Sequence, residues 1–183
     1  MASPLKTAVF AACLLLGACR SDPISFHTLT PAQPVAGRSG PDITLEGVSV
    51  PPQVDRPQIV IRQGNSGLAI LETEWWGASL ADELRSTLAD QLGNAGSPRK
   101  ASVLIEVQRF DSVPGQYALI DVKWKLRAAG GGDGDRLACR STLQTRSGPS
   151  VDELVSAQQN NVKRLAALII QAAGGMRGCP TAS

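Results

Sequence analysis

Residues 120–127 show the most regular pattern in the chain. Ile120, Val122, Trp124 and Leu126 alternate with Asp121, Lys123, Lys125 and Arg127, as in a strand with one buried and one wet face. The same period-two pattern runs through Val103, Ile105 and Val107, and through Leu137, Cys139, Ser141 and Leu143. The links, Asp111 to Gly115 and Gly130 to Asp135, are short and turn-rich, so these three strands are predicted to form an antiparallel meander. Upstream, residues 43–50 alternate as a strand that Pro51 and Pro52 end. Residues 58–62 and 68–71 flank Gly64-Asn65-Ser66-Gly67, a hairpin signal.

Two segments carry helical spacing instead. Leu80, Leu84, Leu88 and Leu92 recur every four residues behind Ser79 as N-cap, with Asp82 and Glu83 in the first turn and Gly93-Asn94 as the stop. Ser150 and Glu153 form a capping-box pattern before Leu154, Val155, Gln158, Val162, Leu165, Ile169 and Ala172, which run to Gly174-Gly175. The order is strands, helix, three strands, helix. The economical packing is an α/β fold, a three-layer sandwich with a mixed, largely antiparallel sheet and two main helices, in one domain over residues 43–183.

The first residues follow a different logic. Lys6 precedes about ten mostly apolar residues that end in Leu16-Gly17-Ala18-Cys19. That is the layout of a secretory signal, and it is too short to span a bilayer, which takes about 20 residues. Leu-Gly-Ala-Cys resembles a lipobox, which implies acylation of Cys19 and cleavage between Ala18 and Cys19. Residues 1–18 are therefore read as a lipoprotein signal peptide and 19–42 as the lipidated Cys and a flexible tether. Pro23, Pro31, Pro34 and Pro41 extend that tether at ~3 Å per residue, enough to hold a body tens of Å from its membrane. Ile24 to Leu29 interrupts it with an alternation suited to a short edge strand on the body.

Composition removes several function classes. With 18 basic and 16 acidic side chains the net charge is +2, and no basic run interleaves with aromatics, so nucleic acid is not an expected partner. The single histidine, His27, reads as a solvated linker residue, and no nucleophile is placed beside it. Ser66 lies in a hairpin turn that lacks the last Gly of G-x-S-x-G. Asp133 and Asp135 in their glycine loop fall short of a calcium loop, and no Cys or His spacing suits zinc. No metal or cofactor is expected, and no enzyme activity. Export leaves Cys139 and Cys179, which either pair as a disulfide or stand as two separate thiols.

Three features suit contact with a partner. Trp75-Trp76 lies at a strand-to-helix junction, where indoles either anchor an interface or fill a core. Arg56, in Asp55-Arg56-Pro57, either binds an external carboxylate or phosphate or pairs internally with Asp55 or another acid. Lys123, Lys125 and Arg127 make a basic stripe, wet unless a helix covers it.

The stretch Val48-Ser49-Val50-Pro51-Pro52-Gln53-Val54-Asp55-Arg56-Pro57-Gln58-Ile59-Val60-Ile61-Arg62 resembles the PqiC/YmbA-type lipoproteins, auxiliary components of ABC-type transporters. The likeness continues through Trp76 and Leu80, Val107-Gln108-Arg109-Phe110, Trp124 and the Ala- and Leu-rich last helix. Phe26-His27-Thr28-Leu29 departs from it, standing where relatives carry a Tyr-rich stretch, and the glycine run at 130–134 is a local elaboration. The resemblance implies helices around a mixed sheet and a non-catalytic role beside an MCE-domain protein in moving lipids across the periplasm. It also implies a place on the periplasmic face of the outer membrane, which Arg20 suits because an Asp there is associated with inner-membrane retention. A homo-oligomeric ring is a further expectation from the family. The alternative is a lipid-binding or scaffold lipoprotein of the envelope without an MCE partner.

Overall fold

The computed structural model describes residues 22–32, 40–93, 96–130, 136–175 and 178–181. Its elements are β1 (Ser25–His27), β2 (Asp42–Ser49), β3 (Gln58–Gln63), β4 (Gly67–Trp76), α1 (Leu80–Leu92), β5 (Lys100–Val113), β6 (Tyr117–Ala128), β7 (Arg136–Arg146) and α2 (Val151–Gly175). The α/β sandwich and its two helices are as expected. The strands, however, form two mixed sheets rather than one: β2-β5-β6-β7 and β1-β4-β3. Pro51 and Pro52 explain the division, because neither offers an N–H with which β2 could continue into β3. β2 instead pairs parallel with β5, and β5-β6-β7 is the antiparallel meander.

The core fills one side of the larger sheet. Leu80, Leu84, Leu88 and Leu92 of α1 and Val162, Leu165 and Ile169 of α2 are buried against Val103, Ile105, Ile120, Val122, Trp124 and Leu126. α2 lies over β6 and β7, and α1 lies along β2 and beside α2. Both caps form as their sequences predict. Ser79 Oγ accepts from the Asp82 N–H, Ser150 Oγ from the Glu153 N–H, and the Glu153 carboxylate accepts from the Ser150 N–H. Two buried amides complete the helix–sheet contact. Gln158 donates to the Asp111 carbonyl at 3.1 Å and Asn161 to the Ala118 carbonyl at 3.0 Å, so the start of α2 is registered against the β5–β6 turn.

Two boundaries differ from the sequence reading. β5 runs on to Val113 through residues assigned above to a loop. A register irregularity between Val107 and Arg109 breaks period two, turning Phe110 inward and Arg109 and Asp111 outward. At the other end, the short edge strand expected over Ile24 to Leu29 forms as β1, so the segment read as a tether is fastened to the body there. β1 pairs parallel with β4, Leu29 is fully buried, and the Glu83 carboxylate accepts from the Leu29 N–H at 2.9 Å and the Thr28 hydroxyl at 2.7 Å. A carboxylate as buried as Glu83 has to be satisfied by such donors, and that need holds the segment down.

Cys139 on β7 and Cys179, beyond the end of α2, are joined by a disulfide with Cα atoms 5.5 Å apart. It ties the segment after α2 to an edge strand. Closing a loop of 40 residues removes chain entropy from the unfolded state worth about 4 kcal/mol. Cys139→Ser combined with Cys179→Ser is expected to lower unfolding stability by ~2–4 kcal/mol, measured by urea titration. Dithiothreitol should produce the same shift in the unaltered protein and none in the double variant.

Candidate functional site

The helices cover one face of β2-β5-β6-β7 and leave the other open. On that open face Lys123, Lys125 and Arg127 of β6 are all exposed, so no helix covers the basic stripe. The register sets Glu106 and Arg140 on either side of Lys123, Leu104 and Ala138 beside Lys125, and Ser102 and Arg136 beside Arg127. Two shallow grooves result. One, of about 310 Å³, is lined by Glu46, Leu104, Lys125, Arg127, Arg136 and Ala138. The other, of about 420 Å³, runs over Leu104, Glu106, Lys123, Ala138 and Arg140. Both have a floor of Leu104 and Ala138 between charged walls. Lys125 Nζ is 3.9 Å from Glu106, whereas Lys123 and Arg127 hold no ion pair among the described residues. Such a surface can accept carboxylate or phosphate groups attached to an apolar segment.

Above the grooves the same face carries a row of ion pairs. Asp111 and Asp121 are buried, yet each lies beside arginines. Arg62 of β3 donates to Asp111 Oδ1 at 2.9 Å and Arg109 pairs with Asp111 Oδ2. Arg140 makes a two-point contact with Asp121 at 2.9 and 2.6 Å, and the Thr142 hydroxyl adds a donor at 3.2 Å. The row crosses β3, β5, β6 and β7 and joins the small sheet to the large one. The bond from Arg140, with that of Thr142 and the nearby charges of Arg140 and Arg109, holds the Asp121 carboxyl below its ordinary pKa against the burial that raises it. Sequence alone could not find this row, because the irregularity at residue 108 hides the outward parity of Arg109 and Asp111.

The Asp55-Arg56-Pro57 corner has a division of labour. Asp55 does not pair with Arg56; its Oδ1 accepts from the Ala81 N–H in the first turn of α1, 3.2 Å away. The Pro57 carbonyl accepts from the Trp76 N–H at 2.6 Å. Arg56 is half-buried, and its Nε is buried with no hydrogen-bond partner.

The two indoles part company. Trp76 is 3% exposed, edge-on to Phe110 at 6.3 Å, and belongs to the core rather than to a contact surface. Trp75 is half-buried on the outer face of β4, edge-on to Phe26, and its indole N–H donates to the Glu72 carbonyl at 2.9 Å. His27 is no solvated linker residue: Nε2 lies 2.5 Å from Glu74 and Nδ1 3.4 Å from Asp152, which binds β1 to β4 and α2. Cys19 and Ala18, with Asp133 and Asp135, lie outside the described residues. Among the described residues no cluster of His, Cys, Asp and Glu suits a metal ion, and no helix is long and apolar enough to cross a membrane.

Because the native state holds Asp121 ionised below the usual pKa, its contribution to stability is complete above pH ~4 and is lost as pH falls through the lower folded-state value. Asp121→Asn should therefore cost roughly 1–3 kcal/mol at pH 7. It should also flatten the acid limb of stability against pH, measured as urea midpoints between neutrality and about pH 3.

Against known structures the fold recurs. The crystal structure of an uncharacterized protein matches with a TM-score of 0.65 and 17% identity, covering 82% of this chain and 98% of that one. The crystal structure of protein XCC0632 from Xanthomonas campestris, of the DUF330 family, matches with a TM-score of 0.58 and 19% identity, covering 82% of this chain and 92% of that one. At such identities the likeness shows the fold alone. No curated protein gives a significant match. A family model described as "ABC-type transport auxiliary lipoprotein component" matches residues 26–170, from β1 nearly to the end of α2. The chain belongs to that family of ABC transport auxiliary lipoproteins.

Proposed function

We propose that this protein is the non-catalytic, lipid-anchored component of an MCE-type ABC transport system that moves lipids across the periplasm. Cys19 anchors it to the periplasmic face of the outer membrane, and the body docks the MCE-domain protein that carries the lipid. The observation behind this reading is the family membership of residues 26–170, together with the Leu-Gly-Ala-Cys lipobox ahead of them. Two features suit a protein partner: the exposed, grooved basic face around Lys123, Lys125 and Arg127, and the half-buried Arg56. Both offer charge-assisted hydrogen bonds to acidic groups, the kind that orient a partner and fix its register. Several copies assembled as a ring would present these faces repeatedly around the conduit. A lipid carrier in its own right would need an enclosed apolar cavity, whereas the grooves on the large sheet are open and charge-walled.

Crosslinking followed by pull-down from membranes tests the reading. Wild-type protein is expected to recover an MCE-domain protein, and Cys19→Ala to lose it through mislocalisation. Lys125→Glu combined with Arg127→Glu should lower the recovery while leaving anchoring intact. Recovery of only the protein itself, or of cell-wall proteins, would refute the MCE partnership.

A further inference from the structure

Residues 22–24 lead directly into β1, and the chain from Ser25 to Thr30 is fastened to the body. Glu74 and Asp152 flank His27, Glu83 binds Thr28 and Leu29, the Thr30 and Thr87 hydroxyls meet at 3.0 Å, and the Gln159 amide donates to the Thr28 carbonyl at 2.9 Å. The body is thus fixed from Ser25, six residues after Cys19. An extended chain spans at most ~3.6 Å per residue, so Cys19 lies within about 20 Å of Ser25. Residues 33–39 connect β1 to β2 and add nothing to that reach.

The surface nearest this attachment is apolar. The exposed large hydrophobic residues of the described chain are Ile24 (46%), Phe26 (67%), Leu68 (45%) and Ile70 (41%). Register places the last three on one face of the small sheet with Trp75. Phe26 and Gln58 both stand opposite Trp75, Val60 stands opposite Ile70, and Arg62 opposite Leu68. Gln58, Val60 and Arg62 share one side of β3, and an irregularity in β4 between Ile70 and Trp75, where five steps on β4 face two on β3, brings Trp75 to that side with Ile70 and Leu68. Ile24, two residues before Phe26, continues the row. β1 runs parallel to β4 with Ser25 opposite Glu74, so residues 22–24 approach β1 from the end of β4 that leads to Ile70 and Leu68. The described chain therefore enters the body beside the apolar row.

We infer that the outer face of β1-β4-β3 rests on the bilayer that holds Cys19, with Phe26, Trp75, Ile70 and Leu68 seated at the boundary between headgroups and acyl chains. This rests on the reading of Cys19 as a lipid anchor. The body then lies on its membrane instead of standing tens of Å away on a tether, and Trp75 contacts lipid rather than a protein partner. The chemistry fits. The Trp75 N–H is already bonded to the Glu72 carbonyl, so its ring enters an apolar layer without stranding a donor. The arginine on this face, Arg62, is committed to Asp111, so contact comes from apolar insertion and not from attraction to anionic lipid. Single acyl chains anchor only marginally, and a docked apolar face adds to whatever chains Cys19 carries.

Tryptophan fluorescence of the full-length protein in phosphatidylcholine vesicles tests this, because Trp76 and Trp124, the other two tryptophans, are core residues. Brominated phosphatidylcholine is expected to quench the wild-type emission equally at low and high salt. Trp75→Phe should abolish that quenching. Phe26→Glu combined with Ile70→Glu should reduce it severalfold with unchanged circular dichroism. Intact mass reports acylation of Cys19 in the same samples. An acylated protein whose Trp75 is quenched by aqueous acrylamide and not by bromolipid overturns the docking while leaving the anchor in place. Trp75 shielded from both quenchers places a second copy or another protein on this face and also overturns it. An unacylated Cys19 removes the anchor and the docking together.

Discussion

The fold turns on an asymmetry of the large sheet: apolar helix surface is available for only one of its faces. The leucine row of α1 and the Val162, Leu165 and Ile169 row of α2 bury the inward residues of β5, β6 and β7. Removing that apolar area from water is the main force holding the layers together, and it leaves every outward position of β6 beyond residue 122 to lysine and arginine. An antiparallel sheet tolerates such a wet face readily. The consequence is a stable body that displays a fixed array of charges without spending its core on them.

The residues of the stretch from Val48 to Arg62 acquire separate mechanical jobs in this setting. Asp55 serves the N-terminus of α1, the Pro57 carbonyl receives the end of β4, and Arg62 crosses to Asp111 on the large sheet, where Arg109 also arrives. Burying Asp111 and Asp121 would be costly alone, but each is met by guanidinium donors, so desolvation is offset by charge-assisted bonds. Arg56 takes no part in this network, and its buried Nε has no hydrogen-bond partner.

The attachment of β1 links the fold to function. A strand of only three residues contributes little by its own pairing. It is held because Leu29 enters the core, because buried Glu83 needs the donors that Thr28 and Leu29 provide, and because His27 pairs with Glu74 and Asp152. The folded body therefore begins close behind the acylation motif. The charged face of the large sheet and the apolar row of the small sheet lie on different sheets, linked by the Arg62–Asp111 pair.

Much of this was legible in local pattern. Period-two stretches marked β2, the first half of β5, β6 and β7, a turn signal marked the β3–β4 hairpin, four-residue leucine spacing marked α1, and a capping box marked the start of α2, because burial on one face selects residues at the period of the backbone. The lipobox and the family resemblance are likewise properties of contiguous residues. What local pattern could not carry was anything dependent on which elements meet. The division into two sheets, the inward turn of Trp76 against Trp75, the disulfide between Cys139 and Cys179, and the convergence of Arg62, Arg109 and Asp111 from β3 and β5 all join positions far apart in the chain. An irregularity such as that at residue 108 reverses which side chains face outward, and only the pairing of strands reveals it. The sequence by itself determined the elements and their buried faces, since those follow from short-range periodicity. Tertiary structure decided which charges stand together and that the folded body begins at β1, since both depend on contacts between distant segments.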